Sequence, residues 1–295
     1  MSPDGAPGAR IEPGMFRGPK RLDPCLPLLR RIPAPIARSF IIGLAIGDGI
    51  LRKDRLRSAI AWAGAQAEGS KWPLAFALLA NHGRFIADEA MIGVGDASKW
   101  PQRVRIEGRE RLAALSGGAI LLGFHLGPPR TAFMLRSLGI PVHLTGRLQS
   151  ADRDGRWAGA LQASQAVRLP AGAPRGRAEG LHHIRGLLRR GALVYLAADG
   201  PFGREAFRID LPGGPLVARL GWFTLRRITG VPTLPVLTWQ SRGGRVIAIH
   251  PPLPPPHPDA AADAESCRSA LTPLVEDYVR RFRAQCRYLA FPLAP

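Results

Sequence analysis

The sequence predicts an α/β fold with a mixed, largely parallel sheet that is flanked by helices and preceded by N-terminal helices. From residue 103 onward, short apolar runs typical of buried strands alternate with segments of helical periodicity. Before that point the patterns are helical only, over residues 28–93. The chain has 295 residues, of which 46% are apolar, so it can form a sizeable core.

We expect one domain, because the sequence shows no internal repeat and no convincing boundary. This domain spans residues 28–295 and has three parts: helices at 28–93, an α/β core at 103–250 and a C-terminal helix at 264–287. Residues 1–27 are rich in Pro, Gly and charge. They are predicted to form a disordered leader without a signal peptide.

Two helices are predicted within the N-terminal part. The first begins at Asp54, a residue type that caps helix N-termini, and the second covers residues 71–93. A further apolar stretch at 39–51 is too short to span a bilayer and contains Asp48. It could lie on a membrane or pack in the core, and the sequence favours packing. The first helix has an apolar face formed by Leu56, Ile60, Ala63 and Ala67.

In the core, seven apolar runs are interpreted as strands and five segments between them as helices. The strands are 103–108, 118–124, 141–147, 166–170, 191–201, 233–239 and 245–252. The helices are 108–116, 129–138, 151–164, 176–190 and 215–230. The C-terminal helix carries an apolar stripe that should cover the sheet, formed by Leu271, Leu274, Val275, Tyr278, Val279 and Phe282.

The formal net charge is +19, and most of the basic residues are arginines. Codon bias is one explanation, and an acidic partner such as anionic lipid, an acidic carrier protein or nucleic acid is the other. Nucleic acid is disfavoured, because aromatic residues make up only 7% and no RNA-binding signature occurs. Three cysteines without metal-ligand spacing indicate a reducing compartment.

Polar residues follow three of the predicted strands, at the strand ends where α/β folds place their sites. These residues are His125, Arg147 and Asp199, the last followed by Gly200 and Arg204. A lone histidine after a strand is more often a packed residue than a catalytic base. Three polar strand ends in succession favour a functional site.

The same segments, in their order along the chain, resemble a known family. They are "VRIEGRERL" (104–112), "GAILLGFHLG" (118–127), "GIPVHLTGR" (139–147), "RRGALVYLAADGPFGR" (189–204) and the segment 207–239. Over roughly residues 55–285 the chain resembles the lysophospholipid acyltransferase superfamily, most closely its lipid A biosynthesis lauroyl/myristoyl acyltransferase branch. The resemblance implies a fold like that of glycerolipid acyltransferases.

The resemblance also implies acyl transfer from an acyl thioester to a hydroxyl of a lipid or glycolipid acceptor. The donor would be acyl-acyl carrier protein or acyl-CoA, with no metal or other cofactor. The enzyme would be peripheral on the cytoplasmic face of a bacterial inner membrane. His125 matches the family's general base. The resemblance places Arg147 and the Asp199–Gly200 pair at the substrate headgroup. We expect Asp199 to be catalytic together with His125, and Arg130 and Arg204 to bind substrate as well. Acyl length, acceptor identity and oligomeric state stay open.

One residue departs from the family pattern. The carboxylate of the H-x-x-x-x-D/E motif, which supports the histidine, is replaced by Arg130. Three interpretations follow. In the first, another carboxylate supports His125, with Asp199 as the first candidate and Asp88 or Glu89 after it. In the second, which is compatible with the first, Arg130 binds an anionic headgroup or the donor's phosphate. In the third, the protein is a catalytically weakened, lipid-binding relative.

Overall fold

The computed structural model describes most of the chain. The described residues are 32–66, 70–94, 104–128, 130–146, 167–168, 174–200, 203–242 and 244–291. The leader predicted at 1–27 and the helix predicted at 151–164 lie outside these ranges, so neither is tested.

Three helices precede the sheet: α1 (Ala34–Leu51), α2 (Lys53–Gln66) and α3 (Lys71–Val94). α1 and α3 pack antiparallel and closely, because glycines lie at their contact. Gly83 of α3 leaves room for the α1 backbone at Ile42 and for the side chain of Ala45. Gly49 of α1 leaves room in the same way for Leu79 of α3.

α2 differs in one detail from the prediction. It begins at Lys53, so Asp54 lies in its first turn rather than at its N-cap. The carboxylate still suits the positive end of the helix dipole. The predicted apolar face is confirmed where the structure describes it: Ala63 is buried, and Leu56 and Ile60 pack against the main core.

The apolar stretch at 39–51 lies in α1 and packs on one side only. Ile41 and Ala45 are buried in a small cluster with Ile86 and Ala87 of α3. The prediction that this stretch packs is therefore confirmed for that side of the helix. Among the residues described, no helix combines the length and apolar character that crossing a bilayer requires.

The main sheet has seven strands in the order β1-β9-β8-β2-β5-β3-β4. Every pairing in it is parallel except that of β8 with β9, as expected for a mixed, largely parallel sheet. The strands are β1 (Val104–Glu107), β2 (Ala119–Gly123), β3 (Val142–Gly146), β4 (Val167–Arg168), β5 (Leu193–Ala197), β6 (Glu205–Ile209), β7 (Leu216–Arg219), β8 (Thr233–Ser241) and β9 (Gly244–Ile249), of which β6 and β7 form a separate hairpin.

The remaining helices cover both faces of the sheet. Leu121 of β2 packs on one face with Met134, whereas Leu122 packs on the other with Leu271 and Val275, so the strand is buried on both sides. The helices are α4 (Glu110–Ala113), α5 (Thr131–Ser137), α6 (Pro174–Arg189), α7 (Leu220–Thr229), α8 (Ala260–Phe282) and α9 (Arg287–Ala290).

The helices predicted at 215–230 and 264–287 begin and end at other residues in the structure. The helix predicted at 215–230 is confirmed only from Leu220 onward, because residues 216–219 form β7 and pair antiparallel with β6. The C-terminal helix starts earlier and ends earlier than predicted. Asp259 caps it, its carboxylate accepting the Ala262 N–H at 2.7 Å, and the helix ends at Phe282. A 3-10 turn and α9 follow.

A buried carboxylate ties the N-terminal helices to the sheet. Asp88 of α3 accepts from Arg38 of α1 at 2.9 Å and also pairs with Arg245 of β9. Removing one partner of such a pair would leave a buried charge uncompensated, at a cost of about 3–5 kcal/mol. This ion pair therefore joins the helical layer to β9 of the sheet.

The helical layer also packs against the C-terminal segment, defined here as residues 283–291. The His82 ring of α3 lies 5.5 Å from that of Phe291, and the Asn81 amide donates to the Ala284 carbonyl at 3.0 Å. Desolvation, with the positive charges of Arg287 and Arg55, lowers the pKa of His82 from 6.5 to about 3.

We predict that His82 contributes to acid sensitivity. Below about pH 6.5 the unfolded chain binds a proton at His82 that the folded protein does not bind until about pH 3. The free energy of unfolding should therefore fall as the pH drops through this window. His82→Leu should reduce that slope in urea unfolding measured from pH 7 to pH 4. His183→Gln, at an exposed histidine, is the control; equal slopes in wild type and His82→Leu would contradict the assignment.

Candidate active site

The register of two neighbouring parallel strands brings His125 and Asp199 together. β2 and β5 pair so that Gly123 lies opposite Ala197, and the Ala198 N–H donates to the Gly123 carbonyl at 2.8 Å. His125 lies two residues beyond the end of β2, and Asp199 lies two residues beyond the end of β5. The equal offsets place both side chains at one edge of the sheet, where the sequence predicted a site.

The Asp199 carboxylate binds His125 at both its backbone and its ring. The His125 backbone N–H donates to both carboxylate oxygens at 3.0 Å, and Nδ1 lies 3.0 Å from Oδ1. A carboxylate oxygen accepts this hydrogen bond from Nδ1–H, and in the neutral imidazole that tautomer leaves the lone pair on Nε2. The side chains are 19% and 11% exposed, so the pair is largely shielded but reachable.

Close approaches around the site require two glycines. A side chain at Gly123 would collide with the hydroxyl end of Tyr195 on β5. A side chain at Gly127 would collide with the Thr238 carbonyl and the Tyr278 hydroxyl. The turn after His125 is thus held against β8 and α8, which fixes the backbone that carries the histidine.

Arg219 holds the loop that carries Asp199. Its backbone N–H donates to the Ala198 carbonyl at 2.7 Å, and its Nε donates to the Gly200 carbonyl at 2.6 Å. Its Nη1 also donates to the Gly203 carbonyl at 3.3 Å. Sequence reasoning missed this residue, because Arg219 was assigned to the interior of a helix. In the structure it ends β7 and fastens the hairpin to the site.

Arg130 is the only non-glycine residue with positive φ in the described part of the chain. Its φ is 73° and it precedes the first turn of α5, where its carbonyl accepts the Met134 N–H at 3.1 Å. The left-handed conformation costs about 1–2 kcal/mol for a residue with a side chain. Such outliers cluster at functional sites. Arg130 therefore marks the turn after His125 as a constrained segment.

Asp199, the first of the three carboxylates considered as a partner for His125, has Oδ1 3.0 Å from the His125 Nδ1. Asp88, the second, pairs with Arg38 and Arg245 instead, so it is occupied elsewhere. The side chain of Glu89 lies outside the described residues.

The other predicted site residues take different positions. The Gly200 carbonyl is bound by Arg219, and a side chain at Gly200 would meet open space. Arg204 is exposed just before β6, and its carbonyl accepts the Leu220 N–H at 2.8 Å. Arg147 lies outside the described residues, so its predicted place beside His125 is untested.

Tyr288 of α9 adds a residue to the site that sequence reasoning missed. Its ring meets the His125 imidazole edge to face, with centroids 5.5 Å apart and planes at 82°. The Arg287 guanidinium lies 4.4 Å from the Tyr288 ring centroid, and its Nη2 donates to the Tyr288 hydroxyl at 2.5 Å. Arg287 also lies 5.3 Å from the Phe85 ring centroid. The only sequence feature that could have indicated this contact is the presence of an aromatic residue, Tyr288, after the C-terminal helix.

The His125–Asp199 pair offers acid–base chemistry. Cys267 and Cys286 are buried free thiols, and desolvation raises the pKa of Cys267 to about 11, so both stay protonated near neutral pH. Within the described ranges, no group of three or more His, Cys, Asp or Glu side chains could hold a metal ion.

Comparisons with known proteins add no family assignment. The sequence matches no protein-family model, and it has no significant match among curated proteins. A proposal for the function therefore rests on the ordered motifs and on the geometry of His125 and Asp199.

We predict that Asp199 sets the tautomer of His125. Asp199→Asn can present an N–H or a carbonyl to Nδ1, so the tautomer with the proton on Nε2 should become populated. Imidazole ¹⁵N chemical shifts of His125 report this directly. Asp210→Asn, at an exposed aspartate, is the matched control. Unchanged ¹⁵N shifts in Asp199→Asn would contradict the prediction.

Proposed function

We propose that the protein is an O-acyltransferase that moves a fatty acyl chain from an acyl thioester to a hydroxyl of a lipid or glycolipid acceptor. The observation that carries this proposal is the hydrogen bond from His125 Nδ1 to Asp199 at adjacent strand ends. Through this hydrogen bond Asp199 can support His125 as a general base, although Arg130 stands where the motif has its own carboxylate. The mostly parallel sheet with its N-terminal helices is compatible with a glycerolipid acyltransferase-like fold.

The proposed mechanism uses His125 as general base and then as general acid. Nε2 takes the proton of the acceptor hydroxyl as its oxygen attacks the thioester carbonyl carbon. The Asp199 carboxylate stabilises the imidazolium that forms. When the tetrahedral intermediate collapses, the C–S bond breaks and the imidazolium returns the proton to the leaving thiolate. The products are an ester and a free thiol, with no covalent enzyme intermediate.

Substrate binding is assigned to cationic and backbone groups around this pair. Arg130 follows His125 by five residues and lies in the constrained turn, where it can meet an anionic headgroup or the donor's phosphate. Arg204 is exposed beyond the Asp199–Gly200 loop and can serve the same class of ligand. Arg147 is retained as a proposed headgroup contact from the motif that it matches.

The proposed donor is acyl-acyl carrier protein or acyl-CoA, used as co-substrate without a further cofactor. An acidic carrier protein and an anionic membrane both complement a chain of net charge +19. We place the enzyme at the periphery of a membrane, on the cytoplasmic face of a bacterial inner membrane, where such acceptors and donors meet.

The test is an acyl-transfer assay with full-length protein, acyl-acyl carrier protein or acyl-CoA, and lysolipid or glycolipid acceptors. Released thiol and acylated lipid should appear together. His125→Ala should lower kcat by about 10²- to 10⁴-fold, because the base is lost. Asp199→Asn should lower it by about a hundredfold or more, because the tautomer and the imidazolium lose support.

His183→Ala, on α6, is the matched control and should keep wild-type activity. Full transfer by His125→Ala, with the fold intact by circular dichroism, would show that the base is assigned wrongly. The absence of transfer with every donor and acceptor would count against the enzyme itself.

The second candidate is a lipid-binding relative that has kept the fold and lost the chemistry. Arg130 favours it, since a guanidinium stands where the motif carries a carboxylate. Lipid bound to the purified protein, with no turnover, would support this candidate. Activity that appears in Arg130→Glu would then identify the arginine as the cause.

We predict that Tyr288 positions the imidazole of His125. Tyr288→Leu removes the edge-to-face contact, worth about 0.5–1.5 kcal/mol, and should lower kcat by about three- to tenfold with little change in KM. Tyr288→Phe keeps the ring and should retain most of the activity. A purely structural role would instead lower thermal stability and leave the kcat of the folded fraction unchanged.

A further inference from the structure

α1 is apolar on two sides, and only one of them is covered. Its buried side faces α3 through Ala37, Ile41 and Ala45. A second, adjacent side carries large apolar residues that are between 41% and 83% exposed. At 100° per residue they fall within an arc of about 120°. They are Ile36, Phe40, Leu44, Ile50 and Leu51.

Two aromatic residues of α3 extend this apolar surface. Trp72, Phe76, Leu79 and Gly83 follow one another at i, i+4, i+7 and i+11, so they share one face of α3. Leu79 and Gly83 lie against α1, whereas Trp72 and Phe76 are 47% and 45% exposed and stack at 6.1 Å. Because α1 and α3 are antiparallel and Leu79 meets Gly49, the two rings lie on the part of α3 nearest the C-terminal end of α1.

Exposed cations surround this end of the surface. Lys53 begins α2, Arg57 lies one turn further along α2, and Lys71 precedes Trp72; all three are exposed, as is Arg52, which pairs with Asp48. Asp54 is the exposed carboxylate among them. A positively charged region therefore lies beside the apolar face. This arrangement complements a partner surface that has negative charges at its outer layer and apolar groups beneath them.

We propose that the exposed apolar side of α1, together with Trp72 and Phe76, is a docking face for an anionic lipid bilayer. α1 lies in the plane of the interface, with its apolar residues at the level of the acyl chains and the cations at the headgroups. Aromatic rings prefer that depth, and each nearby Lys or Arg is attracted to anionic lipid.

The charged groups on the other side of α1 support an in-plane position. Arg38 pairs with the buried Asp88, and Asp48 accepts from Arg52 at 3.1 Å and from Arg55 at 2.9 Å. These ion pairs hold one side of α1 to α3 and α2. The bilayer therefore meets the remaining side only, and this inference does not depend on the proposed acyl transfer.

The test is co-sedimentation of the full chain with vesicles of phosphatidylcholine alone and of phosphatidylcholine with phosphatidylglycerol. Wild type should bind the anionic vesicles more tightly, and the difference should shrink at high salt. Phe40→Asp and Leu44→Asp should each weaken binding by about tenfold or more, because a charge enters the apolar layer. Both side chains are exposed, so the fold should be unaffected; circular dichroism and thermal melting check this.

Ile228→Asp is the matched control, since Ile228 is a similarly exposed apolar residue on α7, a helix that is not part of the proposed face. Its binding should match wild type. Brominated lipids should quench tryptophan fluorescence in wild type, and Trp72→Phe should lose much of that quenching.

Three results would overturn the proposal. The first is no binding of wild type to anionic vesicles. The second is an equal loss in Ile228→Asp and Phe40→Asp. The third is a wild-type dimer in light scattering that Phe40→Asp converts to a monomer without changing vesicle binding, which would make this face an interface between two copies. Acyl transfer to a detergent-dispersed acceptor is measured in parallel, so a failure of docking is distinguishable from a failure of catalysis.

Discussion

The candidate site depends on the parallel pairing of β2 with β5. These strands pair from Ala119 with Leu193 to Gly123 with Ala197. His125 and Asp199, each two residues beyond the last pair, therefore lie next to each other. There a carboxylate meets both the backbone and the ring of His125. A shift of the register by one residue would reverse the side-chain directions and separate the pair. The surrounding contacts hold these two strand ends in place. Gly127 packs against β8 after the end of β2, and Arg219 binds the Gly200 carbonyl after the end of β5.

Much of the fold could be predicted from the sequence, because long apolar periodicities and strand-end polar residues are local signals. His125 and Asp199 were both identified in this way. Their partnership was the first of several alternatives that the sequence left open, since 74 residues separate them and strand order is not a local property. β7 was missed because its short amphipathic run continues without a break into α7. Tyr288 was missed because four-residue α9 is too short for any periodicity to mark it.

The high arginine content has a structural part that neither codon bias nor an acidic partner explains. Arg226, Arg245 and Arg287 are each less than 5% exposed. Arg226 pairs with the buried Asp263 at 3.2 Å, and Arg245 pairs with Asp88. A planar guanidinium can satisfy several carbonyl and carboxylate oxygens at once, which suits it to such buried junctions. The charge available to ligands is therefore smaller than the composition suggests, and it lies on exposed residues such as Arg52, Lys53 and Lys71.

The C-terminal segment connects the helical layer to His125. Arg287 packs against Phe85 of α3 on one side and against Tyr288 on the other, and the Tyr288 ring meets the imidazole. The helix that presents Phe76 outward thus also carries the packing behind the proposed base. If the helical layer rests on lipid, the enzyme meets the acceptor within the membrane surface. The relevant concentration is then the amount of acceptor per membrane area rather than per volume of solution. Turnover would then follow the mole fraction of acceptor in the bilayer and fall on dilution with inert lipid at constant total acceptor.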